Sequence, residues 1–136
     1  MDGCALVGFV VGALSDIIAF IFLIQARNAI PDVATDCEKK DYNWMAGMGF
    51  LVVAFVYTNL IGIVSAARKE PRNFTKTYVG VYFGLSCLIH GAGVYFIVKS
   101  QSKVCLCVKC KAYLVYAMIL CMVHVGVCIV ALLITL

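Results

Sequence analysis

Charge is what this sequence has least of. Only 13% of its 136 residues are Asp, Glu, Lys or Arg, 64% are hydrophobic, and the mean hydropathy is +1.02. A soluble domain has about 25% charged and about 45–50% apolar residues, and one this small has too little interior to hide the excess. A disordered chain needs low hydrophobicity and high charge, so it is excluded as well. A small secreted disulfide scaffold is excluded by the same numbers, despite eight cysteines. Catalytic signatures are also missing: there is no H-E-x-x-H, no G-x-S-x-G, no phosphate-binding glycine loop and no cluster of exposed acids. The first apolar stretch lacks the basic leader and the small-x-small cleavage site of a secretory signal. Residue 2 is Asp, which excludes N-myristoylation, and there is no prenylation box. An integral membrane protein remains, and it is not expected to be an enzyme.

The few charges are grouped. Seven lie between Arg27 and Asp41, five between Arg68 and Lys76, and four are Lys99, Lys103, Lys109 and Lys111; Asp2 is at the N-terminus, and Asp16 stands alone. Between the groups run four continuously apolar segments of about 20 residues or more, the length a helix needs to cross ~30 Å of hydrocarbon. Membrane-spanning strands would be shorter and would alternate. The expected fold is therefore an all-α integral membrane protein, a four-transmembrane-helix bundle forming one domain over 1–136. Its spans are about 5–24, 45–66, 77–98 and 112–136, with loops 25–44, 67–76 and 99–111. Interface aromatics mark the boundaries: Tyr42 and Trp44, Tyr78 and Tyr82, Tyr113 and Tyr116. The loop lysines and arginines read as contacts to anionic lipid, and no nucleic-acid partner is expected.

Loops 1 and 3 share one side of the membrane. Lys and Arg number three, four and four in loops 1, 2 and 3, so the positive-inside count is divided, although loop 2 is the densest. Cysteines add a second argument. Cys37 in loop 1 with Cys105, Cys107 and Cys110 in loop 3 makes an even set, suited to disulfides in an oxidising compartment. In the cytosol the same set would suit acylation or a metal. The reading adopted puts both termini in the cytosol, in a plasma membrane or an endomembrane such as the lysosomal one. The sequon Asn73-Phe74-Thr75 in loop 2 would carry glycan only in the opposite orientation.

In lipid, small residues and polar contacts bring helices together. Gly8 and Gly12 form one G-x-x-x-G, and Gly80 and Gly84 another; both are expected to mark close helix contacts. Asp16 follows Gly12 at i+4 on the same face. An ionised residue at the bilayer centre is disfavoured by about 2.5–3.5 kcal/mol on insertion scales, so Asp16 needs a partner, a proton or water. Counting at ~1.5 Å per residue puts Asp16, His90 and His124 at one depth to within about a turn, with Asn59 nearer the loop-2 face. Cys87 precedes His90 by three residues and Cys121 precedes His124 by three, which puts each pair on one helix face. With spans 3 and 4 antiparallel, Cys87 is expected near the level of His124, and His90 near that of Cys121. Three uses of this layer stay open: an interhelical hydrogen-bond cluster, a proton or ion relay, or a cofactor site. For the last, Cys87, His90, Cys121 and His124 have the ligand types of tetrahedral zinc, and the two histidines alone could hold a haem iron. No cofactor other than lipid is expected.

Four spans with a longer first loop, cysteines in loops 1 and 3 and a compact Arg68-Lys69-Glu70-Pro71-Arg72 turn resemble the small tetraspan proteins of the MARVEL and lysosome-associated four-span type. The chain lacks the Trp and paired-cysteine signature of claudin-like first loops and the Cys-Cys-Gly motif of tetraspanins. The resemblance implies a membrane organiser, or an accessory or scaffold subunit bound to a larger integral membrane protein or to itself. The alternatives are a small channel or transporter subunit relaying protons or ions through Asp16, His90 and His124, and a haem- or metal-binding membrane subunit.

Overall fold

A computed structural model describes residues 3–30, 42–63, 76–103 and 108–135. Cys37, Cys105, Cys107 and the Asn73 sequon lie outside them. Apart from a turn at Ala29 and Ile30, the described chain is helical: α1 (Gly3–Asn28), α2 (Tyr42–Ala54), a π-helical turn (Phe55–Leu60) that prolongs α2 to residue 63, α3 (Lys76–Lys103) and α4 (Val108–Thr135). Each of the four contains a stretch long and apolar enough to cross a membrane: Val10–Asn28, Tyr42–Ile63, Phe83–Gln101 and Val108–Val130. A helix satisfies its backbone polar groups internally, which hydrocarbon requires. The chain is thus an all-α four-helix bundle of the multi-pass membrane type.

The helices run past the expected span ends: α1 continues beyond residue 24 to Asn28, and α2 begins at Tyr42 rather than at 45. α3 continues past residue 98 to Lys103, and α4 begins at Val108, so Lys99, Lys103, Lys109, Cys110 and Lys111 are helical rather than in a loop. Lysines at helix ends keep their ammonium in the polar zone while the stem lies along the helix; Lys99 Nζ sits 5.5 Å from the centre of the Tyr95 ring one turn earlier. Charge therefore marks the membrane edge, not the helix end.

The helices pack in the cyclic order α1–α4–α3–α2, with α1 closing on α2 and its π turn; α1 and α3 face each other across the diagonal. All neighbours are antiparallel, as in an up-down-up-down bundle. The buried side of α1 is Ala13, Asp16, Ala19, Leu23 and Ala26, and that of α4 is Cys110, Leu114, Ala117, Cys121 and Cys128. Steps of three and four residues keep each set on one face, and the small side chains let the backbones approach. Phe22 packs on Tyr113 and Tyr116 where α1 meets α4, and Phe50 stacks on Phe96 where α2 meets α3.

The interior has two halves. Toward the loop-1 and loop-3 end it is apolar: Ala19, Leu23, Ala26, Ile30, Trp44, Leu51, Ile97, Cys110, Leu114, Ala117 and Cys121 form one cluster. Cys110 is therefore a core residue in the first turn of α4, with no exposed surface, rather than a loop cysteine open to acylation. Mid-bundle the interior turns polar. The outward faces carry large hydrophobic side chains such as Leu88 at 69% exposure and Val127 at 61%. That distribution suits a lipid solvent and would be untenable in water.

Glycine use separates the two G-x-x-x-G stripes. An added Cβ at Gly12 would lie 2.6 Å from Asn59 Oδ1 and 3.1 Å from His124 Cε1, whereas one at Gly84 would meet nothing within 4 Å. Gly84 is thus not a close-packing position. The buried face of α3 is Ser86, His90, Gly93, Ile97 and Ser100, and the stripe through Gly84, Cys87 and Gly91 is rotated off it. The α2–α3 contact uses Gly47 and Gly93 instead, which would bring a Cβ to 3.6 Å from Ile97 and 3.7 Å from Phe50. Gly8 and Gly80 lie in α1 and α3, and their packing falls outside the described residues.

Candidate functional site

The polar half is organised around one carboxylate. Asp16, halfway along α1, is 3% exposed. His90 reaches it across the diagonal from α3, with Nε2 3.1 Å from Oδ1 and 3.4 Å from Oδ2. His124 on α4 places Nδ1 3.4 Å from the same Oδ1. The Asn59 side-chain amide, in the π turn, donates to Oδ2. Each of the other three helices therefore supplies one polar group to Asp16. The shared depth expected for Asp16, His90 and His124 is what the bundle shows.

Asn59 belongs to the same layer, not to one nearer the loop-2 face. The depth count treats the spans as ending level, but Asn59 stands 17 residues into α2 and its continuation, whereas Asp16 stands 12 before the end of α1. α2 is displaced along the bundle axis by the difference, about 7 Å at ~1.5 Å per residue. The π turn also matters. Single π turns widen a helix and recur at functional sites. Here Thr58 and Asn59 are consecutive and both buried. Thr58 Oγ1 donates back to the Ala54 carbonyl, leaving Asn59 to face the carboxylate.

The register of α3 against α4 also departs from expectation. The His90 and His124 rings stack on each other, centroids 3.9 Å apart and planes 25° from parallel. One turn along, Ser86 Oγ lies 3.2 Å from Cys128 Sγ. Cys87 Sγ is directed at the Val125 carbonyl at 3.9 Å, and Cys121 sits in the apolar cluster. The Cys–His cross-pairing is thus replaced by His on His and Ser on Cys, a slip of about one turn. A short connection fixes the neighbour but not its register to within a turn. In this arrangement no porphyrin fits between the histidines, whose rings are in contact. Among the described residues, the His, Cys and carboxylate groups whose ligand atoms come within 4.8 Å of one another are Asp16, His90 and His124; Cys87 and Cys121 are not in that group.

The His90 tautomer follows from its other nitrogen. Nδ1 is 2.8 Å from the Ser86 carbonyl, which only accepts, so Nδ1 carries hydrogen. In a neutral ring Nε2 is then a lone pair, and it faces a carboxylate oxygen that is also an acceptor when ionised. A positive centre or a shared proton must lie between them. His124 aims a second nitrogen at that oxygen.

Ser86 and Cys128 were readable from the sequence, since Ser86 precedes His90 by four residues and Cys128 follows His124 by four, both same-face spacings. Two further hydroxyls bond locally: Ser15 and Ser100 donate to the carbonyls of Val11 and Phe96, four residues back in each case. A recess of about 140 Å³ adjoins Asp16 between α1 and α2, lined otherwise by Ile17, Phe20, Leu51, Val52 and Phe55. No family model, curated protein or solved structure matches the chain.

Proposed function

We propose that this chain is a non-enzymatic tetraspan subunit that binds a larger integral membrane protein through its lipid-facing helix surfaces, with the Asp16 layer fastening its own four helices. One observation carries this reading. Among the described residues no buried side-chain nitrogen or oxygen lacks a hydrogen-bond partner. The polar groups are engaged with one another, so they offer none to a substrate, and the recess beside Asp16 is walled by apolar side chains. The outer surface, by contrast, is broad and apolar on every helix. Between helices in lipid, shape complementarity and small polar contacts decide association. The resemblance to small tetraspan organisers points the same way.

The test is extraction of the chain from its own membranes in a mild detergent, with quantitative mass spectrometry of what co-purifies. A stoichiometric integral membrane partner, or a defined homo-oligomer, is expected. A monodisperse lone chain, unchanged by crosslinking in intact membranes, would overturn the proposal.

A further inference from the structure

We infer that Asp16, His90 and His124 form a binding site for a divalent first-row transition metal, with Zn²⁺ the best-suited ion. This goes beyond the accessory role and does not rest on it. Three observations combine. First, the donors converge: one ligand atom from each residue lies within 4.8 Å of the others, so a single point exists about 2.8 Å or less from all three. Contraction of well under 1 Å per ligand reaches the ~2.0–2.2 Å bonds that imidazole nitrogen and carboxylate oxygen make to zinc. Second, the outer groups are in place. A metal-bound histidine typically donates its other ring N–H to a carbonyl or carboxylate, and the bound carboxylate is itself hydrogen-bonded. His90 holds the Ser86 carbonyl through Nδ1 at 2.8 Å, and Asn59 donates to Oδ2, the oxygen not shared by the two shortest histidine contacts. Third, the arrangement calls for positive charge. With Nδ1 donating to the Ser86 carbonyl, a neutral His90 would turn a lone pair at 3.1 Å toward an ionised Asp16 Oδ1, so the contact needs a proton or a cation, and His124 brings another nitrogen to the same oxygen. A proton bridges two of these atoms; a metal ion bridges all three.

Two imidazoles and one carboxylate are the donor set of zinc and non-haem iron sites that keep a position open. The stacked rings present their nitrogens to one side, which leaves the fourth position for water or hydroxide. Gly12 keeps the site uncrowded, since a Cβ there would press on both Asn59 and His124.

The experiment uses the full chain in detergent micelles with any affinity tag removed. Metal content is measured after equilibration with Zn²⁺ and dialysis, and Co²⁺ is titrated as a visible-absorbance reporter of coordination. One ion per chain is expected, with d–d bands of a four- or five-coordinate site that disappear on adding Zn²⁺. His124→Gln and Asp16→Asn should each weaken binding at least tenfold, Asn59→Leu about 10–100-fold as an outer-group change, and Gly84→Ala should bind as the parent does. Folding of each variant is checked by circular dichroism and size exclusion. If the layer substitutions prevent folding, the parent protein decides alone. A folded parent that takes up no Zn²⁺ or Co²⁺, which is the result if the layer is held by a proton only, overturns the inference. So does binding that is indifferent to folded variants at all three positions, since the metal would then sit on the cysteines.

Discussion

Replacing Gly12 by alanine tests the packing of the polar layer with a single methyl group. That methyl would lie 2.6 Å from Asn59 Oδ1 and 3.1 Å from His124 Cε1. An ordinary contact begins near 3.4 Å, so the amide must retreat by roughly 0.8 Å while its nitrogen is bonded to Asp16. Overpacking a filled interior costs about 1–3 kcal/mol. Losing one interhelical polar contact adds ~0.6 kcal/mol on average in membrane bundles, and up to about 1.7. Against this, alanine is favoured over glycine in a helix by about 0.8–1.0 kcal/mol. The net expectation is a loss of about 1–3 kcal/mol. Gly84→Ala is the matched control: its methyl meets nothing within 4 Å, so only the helix gain of about 0.8–1.0 kcal/mol remains. The assay is unfolding in mixed micelles of increasing SDS content, followed by circular dichroism. The gap between the two variants should be about 2–4 kcal/mol, and much of it should vanish when Asn59→Ala is added, because the obstructing oxygen is then gone. Equal stability of the two variants, within ~0.5 kcal/mol, would refute the packing described for the layer.

Asp16→Leu should be worse than Asp16→Asn. Leucine leaves Asn59 and both histidines without their common acceptor, and each buried orphan costs about 1–3 kcal/mol, whereas asparagine keeps an oxygen in place; the same SDS titration ranks them, and a leucine variant as stable as the parent would remove the layer's fastening role. Cys110 (0% exposed), Cys121 (1%) and Cys128 (4%) should resist a maleimide reagent in the folded state and react in denaturant, with half-buried Cys87 reacting sooner. Peptide mass spectrometry reads this directly, and fast labelling of Cys110 in the folded protein would contradict its place in the core.

The span count and the depth of the polar layer were legible because hydrocarbon is an unforgiving solvent. A lone carboxylate and two histidines in otherwise apolar runs must find one another, and ~1.5 Å per residue locates them along the axis. Azimuth and register were not legible to the same degree. The stripe through Gly80 and Gly84 and the one through Ser86, His90 and Gly93 differ by a small rotation of α3. Both contain small or polar residues, and only the facing helix decides between them. The slip of α3 against α4 has the same origin, since Cys87 and Ser86 are adjacent in sequence and either could have met α4. The π turn at Phe55–Leu60 carries no proline or paired glycine to announce it. It arises where Thr58 bonds back to Ala54 and Asn59 turns toward Asp16, a tertiary contact that local pattern does not contain.

The placement of polar groups along the axis also bears on whether one bundle conducts. A proton or ion path needs donors and acceptors on both sides of the central carboxylate. From Asp16 a hydrogen-bonded file runs to His90, then through Ser86 to Cys128, toward the loop-2 end. In the other direction the interior is Ala19, Leu23, Leu51, Ile97, Leu114, Ala117 and Cys121. That apolar plug spans about 10 Å from Asp16 to Leu23 at ~1.5 Å per residue, and a dewetted constriction of that length stops ions as well as a wall does. Beyond it, Ser100 bonds to the Phe96 carbonyl on its own helix. Asp16 therefore sits where a polar file meets an apolar cluster. That arrangement suits a group held in place, whether the four helices themselves or an ion between them.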